Sequence, residues 1–190
     1  MKLDKATEEK LAAYVKETFA DDLWDLRHTL SAAKHMKAIV SAEGGNERIL
    51  VTAMYLHDIG YAGALQDGYS LAERIEVKAH HMERGAEKAE ALLKELGYGA
   101  QEIRKISRLI RVHDALDGEH TRDEGLVIEA DSLAQIDPEV GNNFGDEEYG
   151  RYVEIFRRKR APLLRTAASK RIFAEFAEKN ALFKKFSDKK

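Results

Sequence analysis

At 190 residues the chain has the length of one domain built around one sizeable core. Its 31 basic and 34 acidic side chains are interspersed and leave a formal charge of −3, which excludes nucleic-acid or membrane-surface binding driven by bulk charge. Cysteine is absent, so disulfides, thiolate metal sites and cysteine nucleophiles are excluded, and a tightly bound transition metal must rely on imidazole and carboxylate.

The opening stretch, MKLDKATEEKLAAYVKE, is charged and amphipathic, with no signal-peptide core. No later apolar run approaches the roughly 20 residues that cross a bilayer, so a cytoplasmic location without membrane contact is expected. Prolines occur only at Pro138 and Pro162, and apolar residues recur at three- and four-residue steps, the period of amphipathic helices. The spacing predicts helices over 5–19, 23–41, 47–57, 71–96, 101–115, 124–136, 146–159 and 162–187, hence an all-α helical bundle. Gly44-Gly45-Asn46 reads as a helix stop followed by an N-cap, Gly97 and Gly99 suit a C-terminal cap and a turn, and Ser70 with Glu73 reads as a capping box.

Between the helices, GYAGALQDGYS at 60–70 carries three glycines and two tyrosines and is the expected loop at a site mouth. A second, polar loop is expected from Asp117 to Gly125. No repeat, low-complexity tract or linker divides the chain, so residues 1–190 are expected to form one unit, with C-terminal helices over 146–187 packed on the rest. The last segment, with Leu163, Leu164, Ile172, Phe173, Phe176, Leu182, Phe183 and Phe186, is too apolar to stand alone. It is expected to dock on the bundle or on a second subunit of a homodimer.

The chemistry lies in the histidines. His57 closes the apolar pattern Ile49, Leu50, Ala53, Met54 and Leu56 and is followed at once by Asp58, Ile59 and Gly60. A His-Asp pair ending a core helix is costly to bury unless something pairs with it, and a divalent cation does so. His28 shares a face with Ala32, His35 and Ile39 at i, i+4, i+7 and i+11, so it points into the bundle. Asp131, in the apolar run LVIEADSLAQI between Ala130 and Leu133, faces inward as well. His28, His57, Asp58 and Asp131 thus form a set donated by facing helices, as metal sites in bundle cores are. His81, which opens HMERGAEKAEALLKELG, and His113, on the face of Ile103, Ile106 and Ile110, are candidates for a second ion, with Asp58 bridging the two.

In this order and context, DLRHTLSAAKHMKAI, AMYLHDIG, HHMERGAEKAEALL, IRVHD and IEADSLAQI resemble the H…HD…D signature of the HD superfamily of metal-dependent phosphohydrolases over roughly residues 20–137. The resemblance implies one metal held by His28, His57, Asp58 and Asp131, and a dinuclear centre once His81 and His113 are included. It also departs from parts of that superfamily. Ser31-Ala32 stands where many relatives have Arg-Val, and Tyr61-Ala62 stands where hydrolases of guanosine tetraphosphate have Glu-Asp.

The resemblance implies hydrolysis of a nucleotide or another small phosphate ester, using one or two divalent ions of Mn, Fe, Co, Ni, Zn or Mg, with Asp58 orienting the attacking water. Two alternatives are an oxygenase with a mixed-valent di-iron centre and a non-catalytic nucleotide-binding or interaction module. Lys34, Lys78, Arg108 and Arg111 are candidate phosphate contacts, although a solvated helix face is the commoner role for such residues. His80 is expected on the surface or beside the ligands, His35 in a buried structural role, and His120 in solvent.

Overall fold

A computed structural model describes residues 1–64, 70–142 and 145–187, and these residues are all-α. The helices are α1 (Lys5–Thr18), α2 (Leu23–Glu43), α3 (Glu47–Leu56), α4 (Leu71–Glu95), α5 (Ala100–Val112), α6 (Arg122–Ile136), α7 (Asp146–Lys159), α8 (Ala167–Lys179) and α9 (Ala181–Ser187), with a 3₁₀ turn at Ala161–Leu163. Among the described residues there is no helix long and apolar enough to cross a membrane.

The helix ends follow local chemistry. Gly44 takes φ of 77° after α2, a conformation L side chains disfavour, and Asn46 then accepts the Ile49 amide to start α3. Ser70 and Glu73 form the expected reciprocal capping box at α4, and Thr121 and Glu124 form one at α6. That second box starts α6 at Arg122, inside the stretch expected as loop.

The apolar faces of α1, α2, α3, α5 and α6 meet in one core that includes Leu11, Met36, Ile39, Leu50, Met54, Ile106, Ile110 and Leu133. α2 packs against α3 and α6, and α4 lies along α5. At roughly 25 cal/mol per Å² of apolar surface removed from water, burying this many large side chains is the main force closing the bundle. A smaller cluster of Ile136, Tyr149, Val153, Phe156 and Phe183 joins α7 and α9 to the end of α6, and Phe173 touches both clusters.

The single helix expected over 162–187 is three pieces instead. Pro162 sits in the 3₁₀ turn, and Thr166 caps α8 by accepting the Ser169 amide. Asn180 then ends α8: its Oδ1 accepts the Phe183 amide, and its Nδ2 donates to the Ile136 carbonyl and the Tyr149 hydroxyl. These side-chain bonds compete with helix continuation, a conflict that apolar spacing does not register. The segment docks on the bundle, with α8 against α2 and α6. Leu164 and Phe183 are buried, while Leu163, Ile172, Phe173 and Phe176 are half-buried. The Leu182 and Phe186 side chains lie outside the described residues.

Candidate metal centre

Six side chains from five helices converge. His28 comes from the first third of α2 and Asp131 from the middle of α6. His57 and Asp58 follow the last turn of α3, His81 lies on α4, and His113 caps the C-terminus of α5. All six are at most 3% exposed. The close approach of α3 and α4 depends on glycine. A Cβ on Gly60 would lie 1.9 Å from the His81 carbonyl oxygen, and one on Gly85 would lie 3.3 Å from the His57 carbonyl oxygen. Only bare backbone at these crossings lets His57-Asp58 meet His81.

The two oxygens of Asp58 face different histidine pairs. Oδ2 is 3.3 Å from His28 Nε2 and 3.2 Å from His57 Nε2. Oδ1 is 3.5 Å from His81 Nε2 and 3.2 Å from His113 Nε2. Asp131 Oδ1 completes the first group, 3.0 Å from His28 Nε2 and 3.6 Å from His57 Nε2. Within each pair the imidazole Nε2 atoms are 3.1 Å apart. Donor atoms about 2.1 Å from a common ion are separated by about 3.0–3.4 Å in octahedral or tetrahedral arrangements, and all of these edges but the two of 3.5 and 3.6 Å fall in that range.

Tautomers sharpen the case for a cation. His57 Nδ1 donates to the Met54 carbonyl at 2.8 Å, His81 Nδ1 to the Lys78 carbonyl and His113 Nδ1 to the Ile110 carbonyl, both at 2.7 Å. A neutral ring that donates through Nδ1 presents a lone pair at Nε2. When neutral, His57, His81 and His113 therefore aim Nε2 lone pairs at points that the oxygens of Asp58 and Asp131 also face. Only protons or metal ions can occupy such points, and this donor set fits borderline and hard divalent ions.

The two carboxylates also draw positive charge to this end of the bundle. Burial alone would lower the His57 pKa, but Asp58 and Asp131 raise it to about 10. Burial opposes a charge on His28 too, and Asp131 and Asp58 overcome it to raise its pKa. Burial and then His113 push His81 down to about 4, leaving it a neutral donor at physiological pH. Burial would raise both carboxyls, yet His57 holds Asp58, and Arg160 with His28 holds Asp131, well below the usual carboxylate range.

A recess of about 130 Å³ reaches this cluster. Its floor includes Asp58, His81, His113 and Asp131, and its walls include Trp24, Tyr61, Leu116 and Ile155. Trp24 stacks on His28 with ring centroids 5.1 Å apart, and Tyr61 stacks on His81 at 4.2 Å. Tyr61 thus places the start of the 60–70 loop at the site, while residues 65–69 of that loop lie outside the described residues.

The remaining candidates divide cleanly. Of the four basic residues, Lys78 alone lines the recess. Lys34 pairs with Glu139, Arg108 with Glu124 and Arg111 with Glu83. His80 is exposed. His35 is buried and bonded to Asp137 Oδ2 at 3.0 Å, a structural role. His120 differs from expectation: it is half-buried, its Nε2 is enclosed without a partner, and it lines a separate recess beside Arg122 and Leu163. The early start of α6 draws it out of solvent.

Sequence reasoning missed Arg160 and Asp114. Arg160, 5% exposed at the end of α7, donates from Nη1 to Asp131 Oδ2 at 2.7 Å and to Ser132 Oγ at 3.1 Å, and from Nη2 to Asp114 Oδ1. Lys78 Nζ lies 2.6 Å from the other Asp114 oxygen. Gln135 Nε2 also donates to Asp131, and Gln135 Oε1 accepts from the Tyr152 hydroxyl. An arginine in a run of basic residues, Arg157 to Arg160, carries no sequence signal for burial, but the Asp that follows His113 in IRVHD is a visible one.

A family model described as HD domain matches residues 25–136. No curated protein matches the sequence. Among solved structures, the fold is similar to that of a predicted HD superfamily hydrolase from an uncultured Thermotogales bacterium. The TM-score is 0.62 at 20% identity, over 93% of this chain and 88% of that one.

Proposed function

Since this chain belongs to the HD-domain family, whose model covers more than half of it, we propose that it is a metal-dependent phosphohydrolase acting on a small phosphate ester. The observation that carries the reading is the convergence of the Nε2 atoms of four histidines on the two oxygens of Asp58 and on Asp131, at the floor of an open recess.

His28, His57, Asp58 and Asp131 would hold one divalent ion, and His81 and His113 would hold a second that shares Asp58. Ions bound there supply Lewis acidity, neutralising phosphoryl charge and lowering the pKa of a water toward neutrality. The chain's own residues prepare the rest. The carbonyls of Met54, Lys78 and Ile110 lock three imidazoles in the Nδ1–H tautomer. Arg160 engages Asp131 Oδ2 and so leaves Oδ1 turned to the histidines, while Gln135 Nε2 donates to both oxygens. Asp58, between both histidine pairs, is the residue placed to orient an attacking water. Trp24, Tyr61, Leu116 and Ile155 limit water to the open side of the recess.

The test is hydrolysis of a broad phosphate-ester panel by protein reloaded with Mn²⁺, Fe²⁺, Co²⁺, Ni²⁺, Zn²⁺ or Mg²⁺, beside Asp58→Ala, with metal content measured for each. Phosphate release by the wild type and its loss in the variant are expected. A wild type that binds metal but releases no phosphate from any ester would overturn the reading. The six-donor arrangement also fits a di-iron oxygenase. Anaerobic iron loading followed by Mössbauer spectroscopy decides that alternative, because a protein taking up one redox-silent ion cannot be such an oxygenase.

A further inference from the structure

Resting on that reading, we infer that the substrate is a phosphomonoester dianion, gripped in the recess by the metal centre and by the Lys78 ammonium, which Asp114 holds in place. The recess is lined by three carboxylates, Asp58, Asp114 and Asp131, and by two cations, Lys78 and Arg160. It is therefore anionic until the metal centre fills and cationic afterwards. Arg160 is buried and committed on both sides, to Asp131 and to Asp114. Lys78 is different. Its side chain is 41% exposed, its ammonium contacts one oxygen of Asp114 at 2.6 Å, and an ammonium has three donors, so it can take further acceptors.

Asp114 is itself fixed, because its other oxygen is held by Arg160. This makes it a positioning residue that keeps the flexible lysine stem directed into the recess instead of into solvent. Lys78 is also tied to the metal centre through its backbone, since its carbonyl accepts the His81 Nδ1–H. The ammonium and a metal donor thus rise from adjacent turns of α4.

A monoester above its second pKa, about 6, carries two charges and three free oxygens, enough to meet both the metal centre and a lysine. A diester has one charge and two free oxygens, so it meets the same pair of contacts with less charge and one acceptor fewer. The organic half of the ester has Leu116, Trp24 and the 43%-exposed Ile155 to lie against, which favours an apolar or aromatic alcohol.

The experiment is calorimetric titration of inorganic phosphate into Mn²⁺-loaded protein, with steady-state kinetics on p-nitrophenyl phosphate and bis(p-nitrophenyl) phosphate. The proteins are wild type, Lys78→Met, Lys78→Arg, Asp114→Asn and the control Lys34→Met, whose lysine lies outside the recess. Lys78→Met should weaken phosphate binding by about tenfold to a hundredfold with Mn²⁺ stoichiometry unchanged, as befits one charge-assisted contact. Lys78→Arg should recover part of that loss, Asp114→Asn should raise KM more than it lowers kcat, and Lys34→Met should match the wild type. The monoester should be the better substrate in kcat/KM. Equal phosphate affinity in wild type and Lys78→Met, or a preference for the diester, overturns the inference. Lys78-dependent phosphate binding without turnover of any ester would instead leave the grip standing and remove the hydrolase reading.

Discussion

Gly60→Ala is the sharpest test of how the two halves of the metal centre are joined. The added Cβ would sit 1.9 Å from the His81 carbonyl oxygen, 2.7 Å from its carbon and 2.9 Å from the Gly85 nitrogen, all backbone atoms that no rotamer change can move. Reaching even 3.0 Å requires α4 to withdraw from the end of α3 by at least about 1.1 Å. His81 Nε2 now lies 3.5 Å from Asp58 Oδ1 and 3.1 Å from His113 Nε2. Metal sites tolerate errors of about 0.2 Å in donor distance, so a shift of this size removes His81 from any shared ion. Overpacking of this kind costs about 1–3 kcal/mol and, with rigid backbone on both sides, should fall at the top of that range. The expected result is a folded protein that retains one tightly bound divalent ion per chain and loses the second, with a urea midpoint lowered to match about 3 kcal/mol. Metal stoichiometry after gel filtration and denaturation in the presence of chelator measure the two effects separately. A Gly60→Ala protein that binds two ions and unfolds like the wild type would refute the argument that bare backbone at this crossing builds the second half of the site.

Arg160→Ala should destabilise the metal-free protein by about 3–5 kcal/mol, because it leaves Asp131 and Asp114 buried without their guanidinium. Divalent ions should restore much of that loss, so chelation should lower the melting temperature of the variant more than that of the wild type. Equal shifts would sink the idea. Asp137→Asn tests the pH dependence. Burial opposes the Asp137 charge, but hydrogen bonds from His35 and Ser31 hold its pKa at about 2, below the unfolded value near 3.8. A depressed carboxyl contributes its stability above the unfolded pKa and loses it as pH falls toward the folded one. The wild type should therefore exceed the variant by about 2 kcal/mol at pH 6, with the gap closing between about pH 4 and 2 in urea titrations. Glu129→Ala should cost about 1–3 kcal/mol by stripping the Arg165 and Thr166 amides of their acceptor, with faster amide exchange at the start of α8 and unchanged metal content.

What the sequence reveals depends on whether an interaction leaves a periodic or local trace. The convergence of these side chains was legible because each polar group interrupts an apolar pattern: His57-Asp58 at the end of α3, His28 on the face of Ala32 and Ile39, Asp131 within LVIEADSLAQI. The capping box of Ser70 and Glu73 was legible because both partners lie within one turn. Long-range closure was not. Glu129, buried in α6, secures the start of α8 across 36 residues, and nothing near Glu129 or Arg165 announces the partnership. The same holds for Asn180, whose bonds to Ile136 and Tyr149 end a helix that spacing alone would continue.

Arg160 shows how much of the site lies beyond its signature. The family match ends at residue 136, and every expected donor lies within it. Yet the charge facing Asp131 from the far side comes from the end of α7, held in place by the cluster around Phe156, Tyr149 and Phe183. Those aromatic residues therefore do more than cover the end of α6. By fixing α7 they deliver a buried cation to the second oxygen of Asp131 and, through Asp114, a direction to Lys78. A donor set of four imidazoles and two carboxylates defines where an ion can bind. The helices after residue 145 set which way Asp131 turns and, through Arg160 and Asp114, how the Lys78 ammonium is held, so both orientations are expected to respond to substitutions in α7 as well as to substitutions among the donors.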